Sequence, residues 1–188
     1  DYGIDLHSAA SQRTNFPNVR ADLGNKGVGM IASAFGCELI VNGKGPEGSM
    51  RRAACKAGCP TIILEAGEPS RFEPSVIQVG ERGIRNVLKR LGMLTGELQQ
   101  PPYHARVNRT TWVRAEVGGI LRVHVAPGEI VETGQPLASN VSVFGEQQNT
   151  LRSSVDGIVL GITTLPTVKP GEPVCHIAVP GRSLRTIR

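Results

Sequence analysis

In the first half of the chain, stretches with a strand-like hydrophobic pattern alternate with stretches that have a helix-like pattern. Short apolar runs predict strands at residues 2–7, 38–41 and 61–65, and helical spacing predicts helices at 26–35 and 47–57. The strongest helical period runs from Pro74 to Leu91, where apolar positions share one face and Glu81 and Arg85 form a favourable i,i+4 pair on the other. Strands and helices in this order predict an α/β layer structure over residues 1–94.

The pattern changes in the second half of the chain. Residues 95–110 contain the sequence QQPPY and predict a linker, and the short β-rich runs after it predict an all-β domain over residues 111–188. Two stretches of this domain resemble each other, with matching positions at Gly119, Ile120, Gly128, Val131, Gly134 and Leu137 in the first and Gly157, Ile158, Val168, Gly171 and Val174 in the second. A duplicated β unit of this kind predicts two interlocked hairpins that close a small barrel.

This barrel pattern resembles the flattened β-barrel of biotinyl and lipoyl carrier domains. Such carriers need a lysine on the hairpin between the two halves, and the sequence has no lysine between Arg90 and Val168. A carrier-type barrel fused to an α/β domain is therefore the weaker interpretation. We expect the barrel to be structural.

Composition narrows the classes of function. The net charge of +5 is spread along the chain and aromatic residues make up only 4% of it, so we expect no nucleic-acid binding. No apolar run approaches the roughly 20 residues that span a bilayer, and the start of the chain lacks the pattern of a secretory signal, so we expect a cytoplasmic protein with no membrane partner. The four cysteines form no C-x-x-C pair and are expected to be core thiols.

The first candidate for chemistry is the segment YGIDLH. Strand alternation places Asp5 and His7 on one face and the apolar Tyr2, Ile4 and Leu6 on the other, which is expected to pack. His7 stands at the carboxyl end of this strand, where open α/β sheets place ligand-binding groups. Neutral imidazole is a common metal ligand, and the alternative is a histidine at the surface or the edge of the core.

Two further segments carry candidates. In TIILEAGE, an apolar run leads directly into Glu65, and a carboxylate at the end of a buried strand is costly to desolvate unless it has a partner or a function there. In EGSMRRAACKAG, Arg51 and Arg52 begin a helix, where one guanidinium can bind a carboxylate through two parallel hydrogen bonds. The alternatives are a glutamate that reaches water and a pair of solvent-exposed arginines.

Taken together and in order, the segments DLH, NFPNVRADL, AFG, EGSMRRAA and LEAGE resemble the succinylglutamate desuccinylase and aspartoacylase family, which has the zinc-carboxypeptidase fold. The resemblance covers residues 1–94, and the barrel resembles the C-terminal domain of the bacterial members. It implies that His7 is the third zinc ligand and that Glu65 is the general base and acid. It also implies that Arg51 binds the substrate carboxylate, with Arg52 as the adjacent competitor. Asp5 is expected to orient the imidazole of His7.

The sequence departs from the family in one important respect. The first two zinc ligands of the family come from an H-x-x-E motif, and no histidine of this chain has a glutamate three residues later. The Asn-Arg pair that helps to hold substrate in the family is likewise expected to lie upstream of Asp1. The chain begins at Asp1 with a segment that reads as a strand and no leading loop, so we expect it to be a piece of a longer polypeptide whose missing residues lie upstream.

The resemblance implies a zinc-dependent hydrolase that removes an acyl group from an N-acyl amino acid or a similar small carboxylate substrate, at an amide or ester bond. The alternative is a non-catalytic fragment, or a structural or binding module whose barrel lacks the carrier lysine. This chain alone is expected to be inactive, and exposed sheet edges favour self-association.

Overall fold

The computed structural model of the chain describes residues 1–181, the side chains of residues 147 and 148 excepted. The strands are β1 (Gly3–His7), β2 (Arg13–Ala21), β3 (Leu39–Asn42), β4 (Thr61–Gly67), β5 (Ala105–Arg114), β6 (Gly119–Val123), β7 (Ile130–Val131), β8 (Pro136–Val141), β9 (Gln147–Arg152), β10 (Gly157–Thr163), β11 (Thr167–Val168) and β12 (Pro173–Pro180). The helices are α1 (Lys26–Phe35), α2 (Met50–Lys56) and α3 (Pro74–Arg90).

Local signals explain the helix boundaries. The side chain of Asn25 caps α1 by accepting hydrogen bonds from the backbone N–H groups of Gly27 and Val28, and Gly36 ends the helix in the left-handed conformation with φ 84°. Pro74 occupies the first turn of α3, where its missing N–H costs nothing. These two helices confirm the prediction. Helix α2 begins only at Met50, later than predicted, because Pro46 starts a turn and Gly48 has φ 79°.

The strand β2 was missed by the sequence analysis. It runs antiparallel to β4 and parallel to β3, so it joins the two predicted strands into one sheet. Pro17 lies within it, and the register with β4 shifts between Asn15 and Asn18. A proline cannot donate to a strand ladder, so its presence in a central strand hides the strand from pattern reading.

The α/β part and the β-rich part share one eight-stranded sheet, in the order β1-β4-β2-β3-β5-β12-β10-β7. Strand β2 also pairs with β10, and this pairing closes β2, β3, β5, β12 and β10 into a barrel. Residues 105–110, which we assigned to a linker, belong to β5, which pairs with β3 on one side and β12 on the other. Residues 182–188 of the predicted β domain lie outside the described residues.

The duplicated β unit is visible in the structure. Its first copy contains β6, β7 and β8, and its second contains β10, β11 and β12. In each copy the first and third strands pair antiparallel, and the short middle strand pairs with the first strand of the other copy. The predicted interlocking is therefore present, whereas the likeness to biotinyl and lipoyl domains stays a prediction.

Three buried clusters form the interior. One lies between the α/β sheet and the helices, around Ile31, Phe35 and Ile62, and another fills the β-rich part around Leu137, Val159 and Ile177. The third joins Leu39 of β3 to residues of β5, β10 and β12, so the interior is continuous between the two parts. Among the residues that the structure describes, no helix is long and apolar enough to cross a membrane.

The apolar face predicted for β1 packs only in part. Ile4 contacts the α/β core, but Tyr2 is 41% and Leu6 55% exposed. In the described sheet β1 is an edge strand that pairs with β4 alone, so its apolar side chains are less covered than those of an interior strand.

Candidate active site

The two residues with predicted chemical roles lie near the carboxyl ends of neighbouring parallel strands, since His7 ends β1 and Glu65 lies two residues before the end of β4. β1 and β4 pair in parallel, and His7 stands directly opposite Glu65 in the register. Because the carboxyl ends of parallel strands meet at one edge of a sheet, the imidazole and the carboxylate open onto the same cleft. The two side chains can therefore act on one bound molecule, which would not be possible if they opened onto different surfaces.

Glu65 is held by polar groups of β2. Nε of Arg20 lies 2.9 Å from its Oε1, and Nη2 of Arg20 donates to Oε2 at 3.1 Å. Nδ2 of Asn15 donates to the same Oε2 at 3.0 Å, and Nδ2 of the buried Asn18 donates to the backbone carbonyl of Glu65 at 3.2 Å. The Glu65 side chain is 19% exposed, so its orientation toward the cleft is fixed while it stays accessible.

His7 has a carboxylate partner of its own. Its Nε2 lies 2.8 Å from Oδ2 of Asp5, so the two residues share a strand face as predicted. The His7 side chain is 45% exposed, and its Nδ1 makes no hydrogen bond to any described residue. A carboxylate at one ring nitrogen fixes the orientation of the ring and leaves the other nitrogen free for a ligand.

The cleft has a volume of about 500 Å³ and draws its walls from both parts of the fold. Its α/β side carries His7 and Glu65, and its β-rich side carries Trp112 of β5 and His176 of β12. The remaining lining residues come from the loop after β1 and from β2, namely Ser8, Ala9, Ala10, Arg13, Asn15 and Arg20. The β-rich part is thus a structural component of the candidate site.

Trp112 and His176 form a stacked pair. The two residues face each other in the register of β5 and β12, their ring centroids are 4.1 Å apart, and their planes differ by 5°. The guanidinium of Arg13 lies 4.8 Å from the centroid of the Trp112 ring, within cation–π range. Burial, followed by the charges of Arg20 and Arg13, lowers the pKa of His176 to about 4, so this imidazole is neutral at pH 7.

The predicted arginines do not line this cleft. Arg52 donates to the backbone carbonyl of Gly45 and lies 3.3 Å from the exposed carboxylate of Glu47. Arg51 is 6% exposed, and its Nε and Nη1 have no hydrogen-bond partner among the described residues. Burial, with a smaller contribution from the charge of Arg20, lowers the pKa of Arg51. A buried guanidinium with unpaired donors is costly, so Arg51 favours an anionic or carbonyl partner.

The described side chains do not form a complete metal site by themselves. The described residues contain no group of three His, Cys, Asp or Glu side chains that could hold an ion. His7 fits the role of one ligand, since it has a free Nδ1 and a carboxylate partner on Nε2. A three-ligand zinc site built on His7 would therefore need two ligands from residues beyond those described.

Sequence reasoning missed five side chains of the cleft: Arg13, Asn15, Arg20, Trp112 and His176. The first three belong to the overlooked strand β2. Trp112 is the single tryptophan of the chain, and His176 interrupts an apolar strand, which was a signal available in the sequence. Neither signal places these rings beside His7.

Comparisons with known proteins show what the two parts of the chain are similar to. Residues 1–91 match the succinylglutamate desuccinylase/aspartoacylase catalytic domain. An N-alpha-acetyl-L-2,4-diaminobutyric acid deacetylase of Halomonas elongata is 29% identical over 123 residues, which cover 62% of this chain and 36% of that protein. Residues 1–91 are therefore similar to the catalytic domain of the succinylglutamate desuccinylase/aspartoacylase family.

Solved structures share the fold beyond the matched segment. The apo structure of the ectoine utilization protein EutE (DoeB) from Ruegeria pomeroyi has a TM-score of 0.84 and 21% identity, and covers 95% of this chain and 60% of its own. A succinylglutamate desuccinylase/aspartoacylase from Rhodobacter sphaeroides has a TM-score of 0.82 and 23% identity, and covers 97% of this chain and 59% of its own. The chain spans about a third of the curated relative and about 60% of these solved structures.

Proposed function

We propose that the chain forms part of a zinc-dependent hydrolase that removes an acyl group from a small N-acyl amino acid. The observation that supports this most is the placement of His7 and Glu65 opposite each other at the carboxyl ends of paired strands, above one cleft. A base and a metal ligand that face one cavity fit the hydrolysis of an amide or ester bond. The family of the α/β segment and the deacetylase name of the relative from Halomonas elongata point to the same reaction class.

In this proposal His7 contributes one zinc ligand through Nδ1, and two further ligands come from sequence upstream of Asp1. When bound, the ion supplies Lewis-acid polarisation of the scissile carbonyl and lowers the pKa of water. Asp5 keeps the ring of His7 in one orientation through its 2.8 Å contact with Nε2. Because its described residues lack a complete donor set, we expect this chain to be inactive without the upstream sequence.

Glu65 is the proton carrier in the proposed reaction. Asn15 and Arg20 aim its carboxylate at the cleft, and it takes a proton from the attacking water onto one of its Oε atoms. Protonation cancels the charge with which Arg20 pairs. Return of the proton to the leaving amine restores that ion pair, so the surroundings of Glu65 favour completion of the cycle.

Arg51 and Arg52 stay the candidates that the resemblance supplies for the substrate carboxylate. The unpaired donors of Arg51 support a role as an anion partner, although neither side chain lines the cleft. An Arg51→Ala variant is expected to raise KM for acidic substrates. An unchanged KM would point to Arg52 or to neither residue.

The decisive experiment compares the complete polypeptide with this 188-residue chain. Metal content is measured by mass spectrometry, and hydrolysis is measured on N-acetyl-L-2,4-diaminobutyrate, N-succinyl-L-glutamate and N-acetyl-L-aspartate. We expect bound zinc and hydrolysis of at least one substrate for the complete polypeptide only. Hydrolysis that survives removal of zinc with a chelator would exclude the zinc mechanism, and no hydrolysis of any acyl amino acid would favour a non-catalytic binding module.

A further inference from the structure

A second set of side chains in the cleft is not needed for the reaction just described. Arg13, Trp112 and His176 form this set, which we term the barrel-side cluster, and all three line the cavity that contains His7 and Glu65. Arg13 comes from β2, and the two rings come from β5 and β12. The cluster therefore lies where the closed barrel meets the α/β part of the sheet.

The backbone of Arg13 is firmly anchored to the barrel. Arg13 pairs with Thr163 of β10, and the carbonyl of Gln12 accepts hydrogen bonds from the backbone N–H of Thr164 at 2.9 Å and from the hydroxyl of Thr163 at 3.3 Å. Gln12 itself has φ 63°, a left-handed conformation that is unfavourable for a residue other than glycine. Such a conformation persists only where surrounding contacts hold it, so the position of Arg13 is well defined.

Among the described residues that line the cleft, Arg13 carries the guanidinium that is not paired with a carboxylate. The other arginine in the lining, Arg20, is already paired with Glu65. No carboxylate of the described residues lies within ion-pairing distance of Arg13, whose recorded side-chain contact is with the Trp112 ring. An arginine that rests on an aromatic ring keeps its planar edge of N–H donors free for a carboxylate.

The rings beside Arg13 bring no charge that would compete for it. His176 is 6% exposed and its ring nitrogens make no hydrogen bond to any described residue, although the residue lines the cavity. As burial and two neighbouring arginines lower the pKa of His176 to about 4, the imidazole offers one donor and one acceptor without a charge at pH 7. Stacking on Trp112 fixes the plane of this imidazole.

We infer that the barrel-side cluster binds the carboxylate end of the substrate, with Arg13 pairing with the carboxylate and His176 hydrogen-bonding an adjacent polar group. This inference rests on the proposed function in one respect, since the bound carboxylate is that of the acyl amino acid whose acyl bond faces His7 and Glu65. It names a specificity site in the β-rich part of the chain. It also adds a candidate to Arg51, which lies outside the lining of the cleft.

The test uses two probes that differ only in their terminal group, the acid N-acetyl-L-alanine and its uncharged C-terminal amide. Trp112 is the only tryptophan of the chain and contacts both Arg13 and His176, so its fluorescence reports binding at the cluster directly. Titration of the chain at pH 7 should show tighter binding of the acid than of the amide. Isothermal calorimetry supplies the two dissociation constants independently.

Three variants separate the contributions. Arg13→Gln should weaken binding of the acid by about 10- to 100-fold, as expected for loss of a charge-assisted pair. Binding of the amide should be nearly unchanged. Arg13→Lys should retain part of the preference for the acid. His176→Phe keeps the stacked ring and removes the ring nitrogens, so it should weaken binding of the acid and of the amide by similar factors.

Two control variants and circular dichroism complete the design. Arg109→Gln removes an exposed arginine of β5 away from the cleft and should leave both affinities unchanged. If Arg51→Gln abolishes the preference for the acid while Arg13→Gln keeps it, the carboxylate binds elsewhere and the inference is wrong. It is equally wrong if the folded wild-type chain shows no preference for the acid, or if Trp112 fluorescence does not respond.

The outcome also separates this inference from the proposed function. If the complete polypeptide hydrolyses acyl amino acids and Arg13→Gln leaves KM unchanged, the proposed hydrolase function is supported and the proposed carboxylate site is contradicted. If hydrolysis is absent while the acid binds in an Arg13-dependent way, the proposed carboxylate site is supported and the proposed hydrolase function is contradicted.

Discussion

The two walls of the cleft are built on different physical principles. On the α/β wall, His7 and Glu65 are each held by charged or polar partners, namely Asp5 for the imidazole and Asn15 with Arg20 for the carboxylate. On the barrel wall, Trp112 and His176 are held by stacking at 4.1 Å, and the imidazole has no polar partner among the described residues. Polar contacts therefore hold the side chains of the α/β wall in place, whereas ring stacking holds those of the barrel wall.

This difference separates reactivity from recognition. A group that must gain and lose a proton needs partners that respond to its charge, as Arg20 does for Glu65. A surface that must distinguish ligands benefits from rigid rings and unsatisfied hydrogen-bonding atoms that a substrate can complete. Substitutions on the α/β wall should thus change turnover, and substitutions on the barrel wall should change affinity and its dependence on pH.

The largest expected effect is on turnover, at Glu65. In the complete polypeptide, Glu65→Gln should lower kcat about 10²- to 10⁴-fold, because the amide cannot carry the proton. Zinc content should be unchanged, as measured by mass spectrometry. Glu68→Gln is the matched control, since Glu68 pairs with the exposed Arg71 at 3.5 Å and does not line the cleft. Near-normal turnover of Glu65→Gln would show that Glu65 does not carry the proton. The expected difference in function between the two walls would then be contradicted.

The α/β wall was largely predictable from the sequence because its signals are local. Asn25 and Gly36 mark the ends of α1, and the strands that contain His7 and Glu65 are recognisable from the few apolar residues before each of them, although β4 continues to Gly67. The parallel pairing of β1 with β4 then brings the two side chains together. Strand β2 escaped because Pro17 and the shifted register interrupt its pattern.

The barrel wall was not predictable, because it depends on pairings between distant segments. Trp112 meets His176 only through the register of β5 and β12, and Arg13 reaches them only because β2 also pairs with β10. The repeat revealed an interlocked β unit but not the fact that its sheet continues into the α/β part. For the same reason, residues 105–110 were assigned to a linker although they form the shared strand β5.

The next effect is on stability, through the neutral imidazole of the barrel wall. The pKa of His176 is about 4 in the folded chain, below its usual value near 6.5, so between these values the unfolded chain binds more protons. Stability should therefore fall as pH drops from about 6.5 to about 4, by roughly 3 kcal/mol in total. Urea unfolding at pH 7 and pH 4.5 measures this loss. His176→Phe should remove most of it, and an identical pH dependence in the variant would show that other groups are responsible.

A smaller effect tests whether the two walls belong to one cooperative unit. A methyl group added at Gly83 of α3 would overlap the ring of the buried Phe35 of α1, so Gly83→Ala should lower the free energy of unfolding by about 1–3 kcal/mol. Because the third buried cluster joins the two parts, helix circular dichroism and Trp112 fluorescence should shift together. Gly29→Ala is the matched control, since no atom lies within 4 Å of the added methyl group, and it should stabilise the chain by about 0.5–1 kcal/mol. Separate transitions by the two probes would show that the walls unfold independently.

The smallest effect is expected at Arg52, which lies outside both walls. Its guanidinium pairs at 3.3 Å with Glu47, whose side chain is 79% exposed, and solvent-exposed ion pairs contribute only about 0–1 kcal/mol. Arg52→Ala should therefore change the free energy of unfolding by less than about 1 kcal/mol and leave KM of the complete polypeptide unchanged for substrates with a carboxylate. Urea unfolding and steady-state kinetics measure the two quantities. A rise in KM without loss of stability would mean that Arg52 turns toward the substrate in the complete polypeptide and takes part in its recognition.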